Sequence, residues 1–134
     1  MLTRRSAIGL AAAAALLPLA RAALASEPMT STPFSADAFK AAQEAGKPIL
    51  VAIHAGWCPT CKIQSVILGD LLKKPAFKNL VVLRVDFDDQ KDIVSKFGAD
   101  TQSTLIVFKG KTEAGRTVGD TSNDGIETLL KLAV

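Results

Sequence analysis

Residues 57–62 read Trp-Cys-Pro-Thr-Cys-Lys, and they come shortly after the apolar run Ile-Leu-Val-Ala-Ile at residues 49–53. Cys58 and Cys61 are the only two cysteines in the 134 residues of the chain. Such an apolar run is typical of a strand buried on both faces, and Pro59 suits the first turn of a helix, where its missing N–H costs nothing. The pattern predicts a strand that delivers a Cys-x-x-Cys pair onto a helix start.

This placement favours thiol–disulfide exchange. The unpaired N–H groups at a helix N-terminus, with a partial charge of roughly +0.5, stabilise a thiolate over a thiol. Cys61 lies one helical turn after Cys58, so it can resolve a mixed disulfide from inside the protein. We therefore predict that Cys58 and Cys61 are catalytic and form a redox-active disulfide, with no further cofactor.

Two other uses of the cysteine pair remain open. A structural disulfide across so short a loop would constrain little of the unfolded chain, because stabilisation grows with loop length. A metal-binding or metal-delivery module for copper or zinc could use Cys58, Cys61 and His54, the one histidine of the chain. A closed zinc site usually has four protein ligands. We therefore expect no metal, and keep the metal module as the alternative.

The first 25 residues have the three parts of an export signal. Arg4 and Arg5 come first, an apolar run of alanine and leucine fills residues 7–20, and Ala-Leu-Ala stands at residues 23–25. The run is shorter than the ~18 residues that indicate a membrane-spanning helix. We predict cleavage after Ala25, a bacterial periplasmic location and no stable membrane insertion afterwards, with twin-arginine export as the candidate route.

The remaining chain is long enough for one compact domain. Three of the 16 basic residues would be removed with the signal, so 13 basic and 13 acidic residues would remain and the net charge would be zero. A nucleic-acid-binding protein needs a clustered basic excess, so we expect no nucleic-acid partner. Residues 26–34 are predicted as a flexible lead-in, and residues 35–134 as the folded domain of a monomer.

Apolar spacing and capping residues predict the order α-β-α-β-α-β-β-α. Ser35 or Asp37 can begin the first helix, and Gly46 can end it. We expect parallel pairing of the first two strong strands and an antiparallel hairpin near the end. The predicted strands cover residues 49–54, 80–86, 104–108 and 113–118, and the predicted helices cover residues 38–45, 58–72, 90–97 and 122–132.

This order and the motif at residues 57–62 resemble the thioredoxin superfamily from about Pro48 to Leu132. The resemblance implies a three-layer α/β fold, with a central mixed sheet flanked by helices. It makes Cys58 the nucleophile and Cys61 the resolving thiol. The implied partners are a protein thiol or disulfide substrate and a redox partner protein in the cell envelope. Reduction is slightly favoured over oxidation, by analogy.

The resemblance also names residues that shape the site. It makes Gly119 a point where a substrate backbone can approach. From its place beside the pair, Trp57 is predicted to be a lid over the sulfurs rather than a core residue. Thr104 begins the strand beside the pair. Pro59 and Thr60 match neither the reductive nor the strongly oxidising members of the superfamily, so we expect an intermediate redox potential.

Three positions depart from the superfamily. Ser103 stands where a cis-proline is usual, so we expect a trans bond, and a serine hydroxyl that bonds a thiolate or lies in a solvated loop. Ala52 replaces a buried aspartate, which leaves the cation at Arg84 without that partner. His54 stands where aromatic or aliphatic residues are usual. Its imidazole can assist the thiolate, or can simply bond a backbone carbonyl at the strand end.

Overall fold

A computed structural model describes residues 28–134, and the predicted export signal at residues 1–25 lies outside them. Within the described part, five strands and four α-helices alternate in the predicted order, with one added strand at the start. The strands are β1 (Thr32–Pro33), β2 (Pro48–His54), β3 (Val81–Asp86), β4 (Thr104–Lys109) and β5 (Thr112–Val118). The helices are α1 (Ala36–Glu44), α2 (Pro59–Leu71), α3 (Lys91–Lys96) and α4 (Asn123–Lys131), and a 3₁₀ turn covers Pro75–Phe77.

The strands form one mixed sheet in the order β1-β3-β2-β4-β5. β2 pairs in parallel with β3, whereas β2 with β4 and β4 with β5 are antiparallel. The predicted parallel pair and terminal hairpin are confirmed. β2 is therefore central, and its carboxyl end leads directly into the cysteine turn.

Both faces of the sheet are covered, as the continuous apolar run in β2 requires. On one face, Leu50 and Ala52 belong to an aliphatic core with side chains of α2 and α4. On the other face, Ile49, Val51 and Ile53 contribute to a second core. Four phenylalanines pack together in that second core, with contacting ring centroids 5.1 to 6.0 Å apart: Phe34, Phe39, Phe97 and Phe108. The cores hold β2, and hence the turn that follows it, from both sides.

Local capping fixes where the helices begin. Ser35 Oγ accepts a hydrogen bond from Ala38 N–H at 3.1 Å, and Ser122 Oγ accepts one from Gly125 N–H at 3.1 Å. Gly46 follows α1 with φ of +68°, which a glycine adopts without strain. None of the helices in residues 28–134 is both long and apolar enough to cross a bilayer.

The prediction of a flexible lead-in is wrong for residues 32–34. Thr32 and Pro33 pair in parallel with β3, at the edge of the sheet. Phe34 donates its backbone N–H to Arg84 O at 2.8 Å, and its side chain is only 8% exposed. Two strand residues are too few to show an alternating pattern, so the pairing partner on β3 determines this strand.

Candidate active site

Cys58 caps the helix that carries the cysteine pair. It is the N-cap residue of α2, in an extended conformation, and its sulfur accepts a hydrogen bond from Cys61 N–H at 3.1 Å. Its own N–H donates to Ala55 O at 3.1 Å, which closes the turn after β2. The Cys58 sulfur therefore lies at the positive end of the helix dipole, where the sequence predicted it.

Both cysteine side chains are buried, whereas Trp57 beside them is at the surface. Cys58 and Cys61 are each 2% exposed and form a small apolar cluster with Ala55. The Trp57 side chain is 58% exposed, and its indole N–H donates to Asp88 Oδ2 at 2.8 Å. The hydrogen bond ties the ring to the loop after β3. Trp57 is thus a surface residue next to the pair and not part of a core.

Cys61 is held as a thiol. Burial raises the pKa of Cys61 to about 11, and its interaction with Cys58 adds to the rise, while backbone hydrogen bonds at Ala55 and Ser103 oppose it. No carboxylate contributes to this shift, and Ala52, where the superfamily has an aspartate, is buried in the aliphatic core. At neutral pH, Cys61 therefore keeps its proton until a base within the reaction removes it.

Ser103 differs from both expectations for its side chain. The residue is only 7% exposed, and its hydroxyl donates to Gln102 O at 2.5 Å. It therefore neither bonds a thiolate nor lies in a solvated loop. The peptide bonds of residues 28–134 are all trans, and Ser103 has φ of +59°, in the left-handed region. Its N–H donates to Ile53 O at 2.9 Å, so its backbone is joined to the end of β2.

Thr104 and Gly119 lie beside Ser103, at the end of the sheet where β4 begins and β5 finishes. Thr104 faces Val118 across the β4–β5 pair, and its hydroxyl donates to Thr101 O at 2.8 Å. Gly119 N–H donates to Ser103 O at 2.9 Å. Gly119 has φ of +72°, and the space where a side chain would stand is open. The approach of a substrate backbone at this position stays a prediction.

Gln64 is a residue of the site that the sequence analysis did not identify. It lies in α2, three residues after Cys61, and is 3% exposed. Its side-chain amide donates to Ser103 O at 3.1 Å and to Asp120 O at 2.9 Å. A signal was available: an amide stands on the same helix face as Cys61 and Leu68, a face that the helical period buries.

His54 contributes to a groove beside α2. It lines this groove of about 330 Å³ with Lys62, Arg84 and the first residues of the described part of the chain, and neither cysteine lines it. Burial lowers the pKa of His54, Arg84 and Lys62 lower it further, and Asp86 opposes them. The imidazole is therefore neutral at pH 7, beside the positive charges of Arg84 and Lys62.

The comparisons with known proteins agree with this geometry. The family model for thioredoxin matches residues 30–132. The chain belongs to the thioredoxin family. It is 31% identical to a Thioredoxin H-type of Oryza sativa subsp. indica over 90 residues, which are 67% of this chain and 72% of that protein. It is 30% identical to a Thioredoxin H-type of Fagopyrum esculentum over 96 residues, 72% of this chain and 78% of that protein.

Solved thioredoxin structures share the fold. Trxlp from Edwardsiella tarda superposes with a TM-score of 0.73 and 40% identity, over 75% of this chain and 98% of that one. Thioredoxin NaTrxh from Nicotiana alata gives a TM-score of 0.66 and 26% identity, over 78% of this chain and 92% of that one. The predicted three-layer fold is confirmed, and membership of the thioredoxin family makes the protein a thiol–disulfide oxidoreductase that acts on protein substrates with redox partners.

The metal alternative has no support in this thioredoxin-family site. Within residues 28–134, no three side chains of histidine, cysteine, aspartate or glutamate come together as metal ligands. His54, the third ligand of that alternative, lies instead among Lys62 and Arg84, whose charges would repel a cation. The relatives named above are thioredoxins, which also points to thiol chemistry.

Proposed function

We propose that the protein reduces disulfides of other proteins in the bacterial cell envelope, with Cys58 as the attacking sulfur and Cys61 as the resolving sulfur. The observation that carries the proposal is the cap of α2. The Cys58 sulfur accepts the N–H of Cys61 at 3.1 Å, a contact that a thiolate strengthens because charged acceptors form the stronger hydrogen bonds. The pair needs no further cofactor, because the electrons pass through the two sulfurs.

The first step is attack by the Cys58 thiolate on one sulfur of a substrate disulfide. A bond forms between Cys58 and that sulfur, the substrate S–S bond breaks, and the other substrate sulfur leaves as a thiolate. Trp57 and Val118 are both exposed, beside Cys58 and Gly119 respectively. They give a protein substrate apolar surface to contact, while the open side of Gly119 leaves room for its backbone.

The second step needs the proton of Cys61 to leave. The departing substrate thiolate, or water, takes this proton, because no carboxylate shifts the pKa of Cys61. The Cys61 thiolate then attacks the Cys58 sulfur and releases the second substrate sulfur. The substrate gains two electrons, the protein is left with a Cys58–Cys61 disulfide, and a redox partner protein must reduce it again.

The direction and the location rest on separate arguments. An envelope that contains a strong oxidase also needs a reductant for selected thiols, and this favours reduction. The signal-like residues 1–25 support export to the periplasm. The reduction potential of the Cys58–Cys61 pair tests the direction. A value of about −270 mV supports a reductase, and a value of about −120 mV overturns the proposed reduction in favour of oxidation. Cell fractionation with an antibody tests the location, and a chain that stays in the cytoplasm at full length contradicts it.

Reduction of insulin by residues 26–134 tests the chemistry. We expect Cys58→Ser to lower the rate on the order of a thousandfold or more, because it removes the nucleophile. Cys61→Ser should instead accumulate a mixed disulfide at Cys58, visible by mass spectrometry. Val134→Ser, an exposed apolar residue to which no role in the site is assigned, serves as a surface control that should retain turnover. Equal activity of Cys58→Ser and the parent protein would refute the proposed function.

A further inference from the structure

Gln64 connects the helix of the cysteine pair to two loops at the active-site edge. Its two amide hydrogens have two backbone acceptors, Ser103 O at 3.1 Å and Asp120 O at 2.9 Å. A side chain that is 3% exposed has no water to replace these partners. The same helix carries Cys61 one turn earlier, so any shift of these loops relative to α2 is a shift relative to the sulfurs.

The two loops form one unit. Ser103 directly precedes β4 and Asp120 follows the end of β5, and these strands are antiparallel neighbours. Gly119 N–H joins the loops by donating to Ser103 O at 2.9 Å. Ser103 O therefore accepts two hydrogen bonds, one from its neighbouring loop and one from α2. Gln64 is the side chain that joins this pair of loops to the cysteine helix.

The Ser103 backbone conformation needs such support. At φ of +59°, a residue with a Cβ atom is strained, and such a conformation persists only where surrounding contacts hold it. The Ser103 hydroxyl turns back to Gln102 O, so the side chain does not join the loop to α2. The contacts from other elements are the bonds to Ile53 O, Gly119 N and the Gln64 amide.

We propose that Gln64 is a positioning residue of the exchange reaction, which holds the strained Ser103 backbone against the resolving sulfur of Cys61. The inference rests on the function proposed above. The Ser103 backbone lies near enough to Cys61 to oppose the rise of its pKa, and so favours the thiolate. By joining the Ser103 carbonyl to α2, Gln64 fixes the position of this backbone relative to Cys61 and so favours release of the Cys61 proton in the second step. The attack by Cys58 depends on the cap of α2 instead.

Cys61 has few charged neighbours that could produce the same effect. Cys58 is the titratable group that shifts its pKa, and the other influences are burial and the backbone at Ala55 and Ser103. Lys62 on α2, Asp88 after β3 and Asp120 after β5 are charged residues of the surrounding elements, and none of them contributes to the shift. The effect of the Ser103 loop on the Cys61 pKa can therefore be measured without interference from charged side chains.

An aromatic disulfide, dithiobis(nitrobenzoate), separates the two steps in the reduced protein of residues 26–134. Attack by Cys58 releases one coloured thiolate, and resolution by Cys61 releases a second. We expect Gln64→Met to slow the second release at pH 7 by roughly three- to tenfold, which corresponds to loss of the bond to Ser103 O. The rise of this release with pH should move by about half a unit to one unit toward alkaline pH. The first release should change by less than about twofold, because the cap of α2 is untouched.

Matched variants distinguish positioning from mere stability. Gln43→Met makes the same change on α1 and should leave both releases unchanged. Ser103→Gly removes the strain at φ of +59°, so adding it to Gln64→Met should restore much of the second release. If Gln64→Met does not fold, Gln64→Asn is measured in its place, because it keeps an amide but is one methylene too short to reach both acceptors, and the same slowing of the second release is expected.

Each outcome decides one claim. A slower second release that Ser103→Gly restores supports the positioning role. Lower stability with an unchanged pH profile, or equal slowing of both releases, overturns it and leaves Gln64 a structural residue. A parent protein that releases no second thiolate refutes the proposed function itself, which is a different failure.

Discussion

The turn at Cys58 and the loop at Ser103 border the same two sulfurs, but they are held in different ways. In the cysteine turn, the hydrogen bonds stay local: Cys58 N–H donates to Ala55 O, and Cys61 N–H donates to the Cys58 sulfur. In the Ser103 loop, the partners come from β2, from the β5–α4 loop and from α2. One turn is encoded by adjacent residues, whereas the other exists only when three distant segments are assembled.

This difference indicates how the two halves of the site respond to change. A helix start with its own cap retains its geometry as long as the helix forms. A loop with a left-handed residue depends on every outside contact, because the local chain prefers another conformation. The backbone around the attacking sulfur of Cys58 therefore tolerates distant substitutions. The Ser103 loop beside the resolving sulfur of Cys61 can be disturbed by them.

Replacement of Ser103 by the proline usual in the superfamily should have the largest effect, because it removes a contact on which the Ser103 loop depends. Proline fixes φ near −65° and has no N–H, whereas Ser103 has φ of +59° and donates to Ile53 O at 2.9 Å. We expect Ser103→Pro to lower the free energy of unfolding by about 3 kcal/mol. Urea denaturation of residues 26–134 measures it.

Ser103→Ala is the control for that change. It keeps the N–H and loses only the hydroxyl bond to Gln102 O, so we expect a loss of about 1 kcal/mol or less. Should Ser103→Pro be as stable as the parent, the loop has a second conformation of similar free energy, and its dependence on distant contacts is refuted.

The pH dependence of stability sharpens the comparison at Cys61. Its pKa in the folded protein is about 11, against 9.0 for an ordinary thiol. Between these two values the folded state keeps the proton and the unfolded state loses it. The contribution of the Cys61 thiol to the free energy of unfolding is therefore complete below pH 9 and is lost as the pH rises to about 11. Between about pH 8 and pH 10.5, the reduced protein should lose a few degrees more of Tm than Cys61→Ala, measured by circular dichroism. Parallel Tm curves for the two proteins would contradict the buried thiol.

Pro59→Ala should have the smallest effect, because the cysteine turn has its own local supports. Pro59 begins α2, where it has no hydrogen bond to lose, and its main contribution is to restrict the unfolded chain. We expect the free energy of unfolding to fall by about 0.4–1 kcal/mol, as measured by urea denaturation. A loss well above that of Ser103→Ala would show that the cysteine turn depends on contacts beyond its own sequence.

Much of the fold could be predicted because its signals are local. Ser35 and Cys58 cap helices by side-chain bonds to residues three positions ahead, and the run at residues 49–53 is apolar at every position. The short strand β1 was missed because its two residues have no pattern of their own. The buried Phe77 in the 3₁₀ turn was also missed, because a single phenylalanine beside lysines has no period to read.

The candidate site divides in the same way. Cys58 and Cys61 were found from their spacing alone, and the absence of a carboxylate at Ala52 was visible in the sequence. The groove that His54 lines was not visible, because the few residues between His54 and Cys58 do not determine on which side of the turn the imidazole lies. The role of Gln64 was hidden since its acceptors lie 39 and 56 residues away.

The sequence by itself determined the cysteine pair at a helix start, the alternation of strands and helices, and the family to which both belong. These follow from interactions within a few residues, which the order of amino acids specifies directly. The tertiary structure alone decided the left-handed Ser103, the Gln64 amide between two loops and the groove that takes His54. Each of these depends on groups that meet only when distant segments pack, so their free energy exists only in the folded protein.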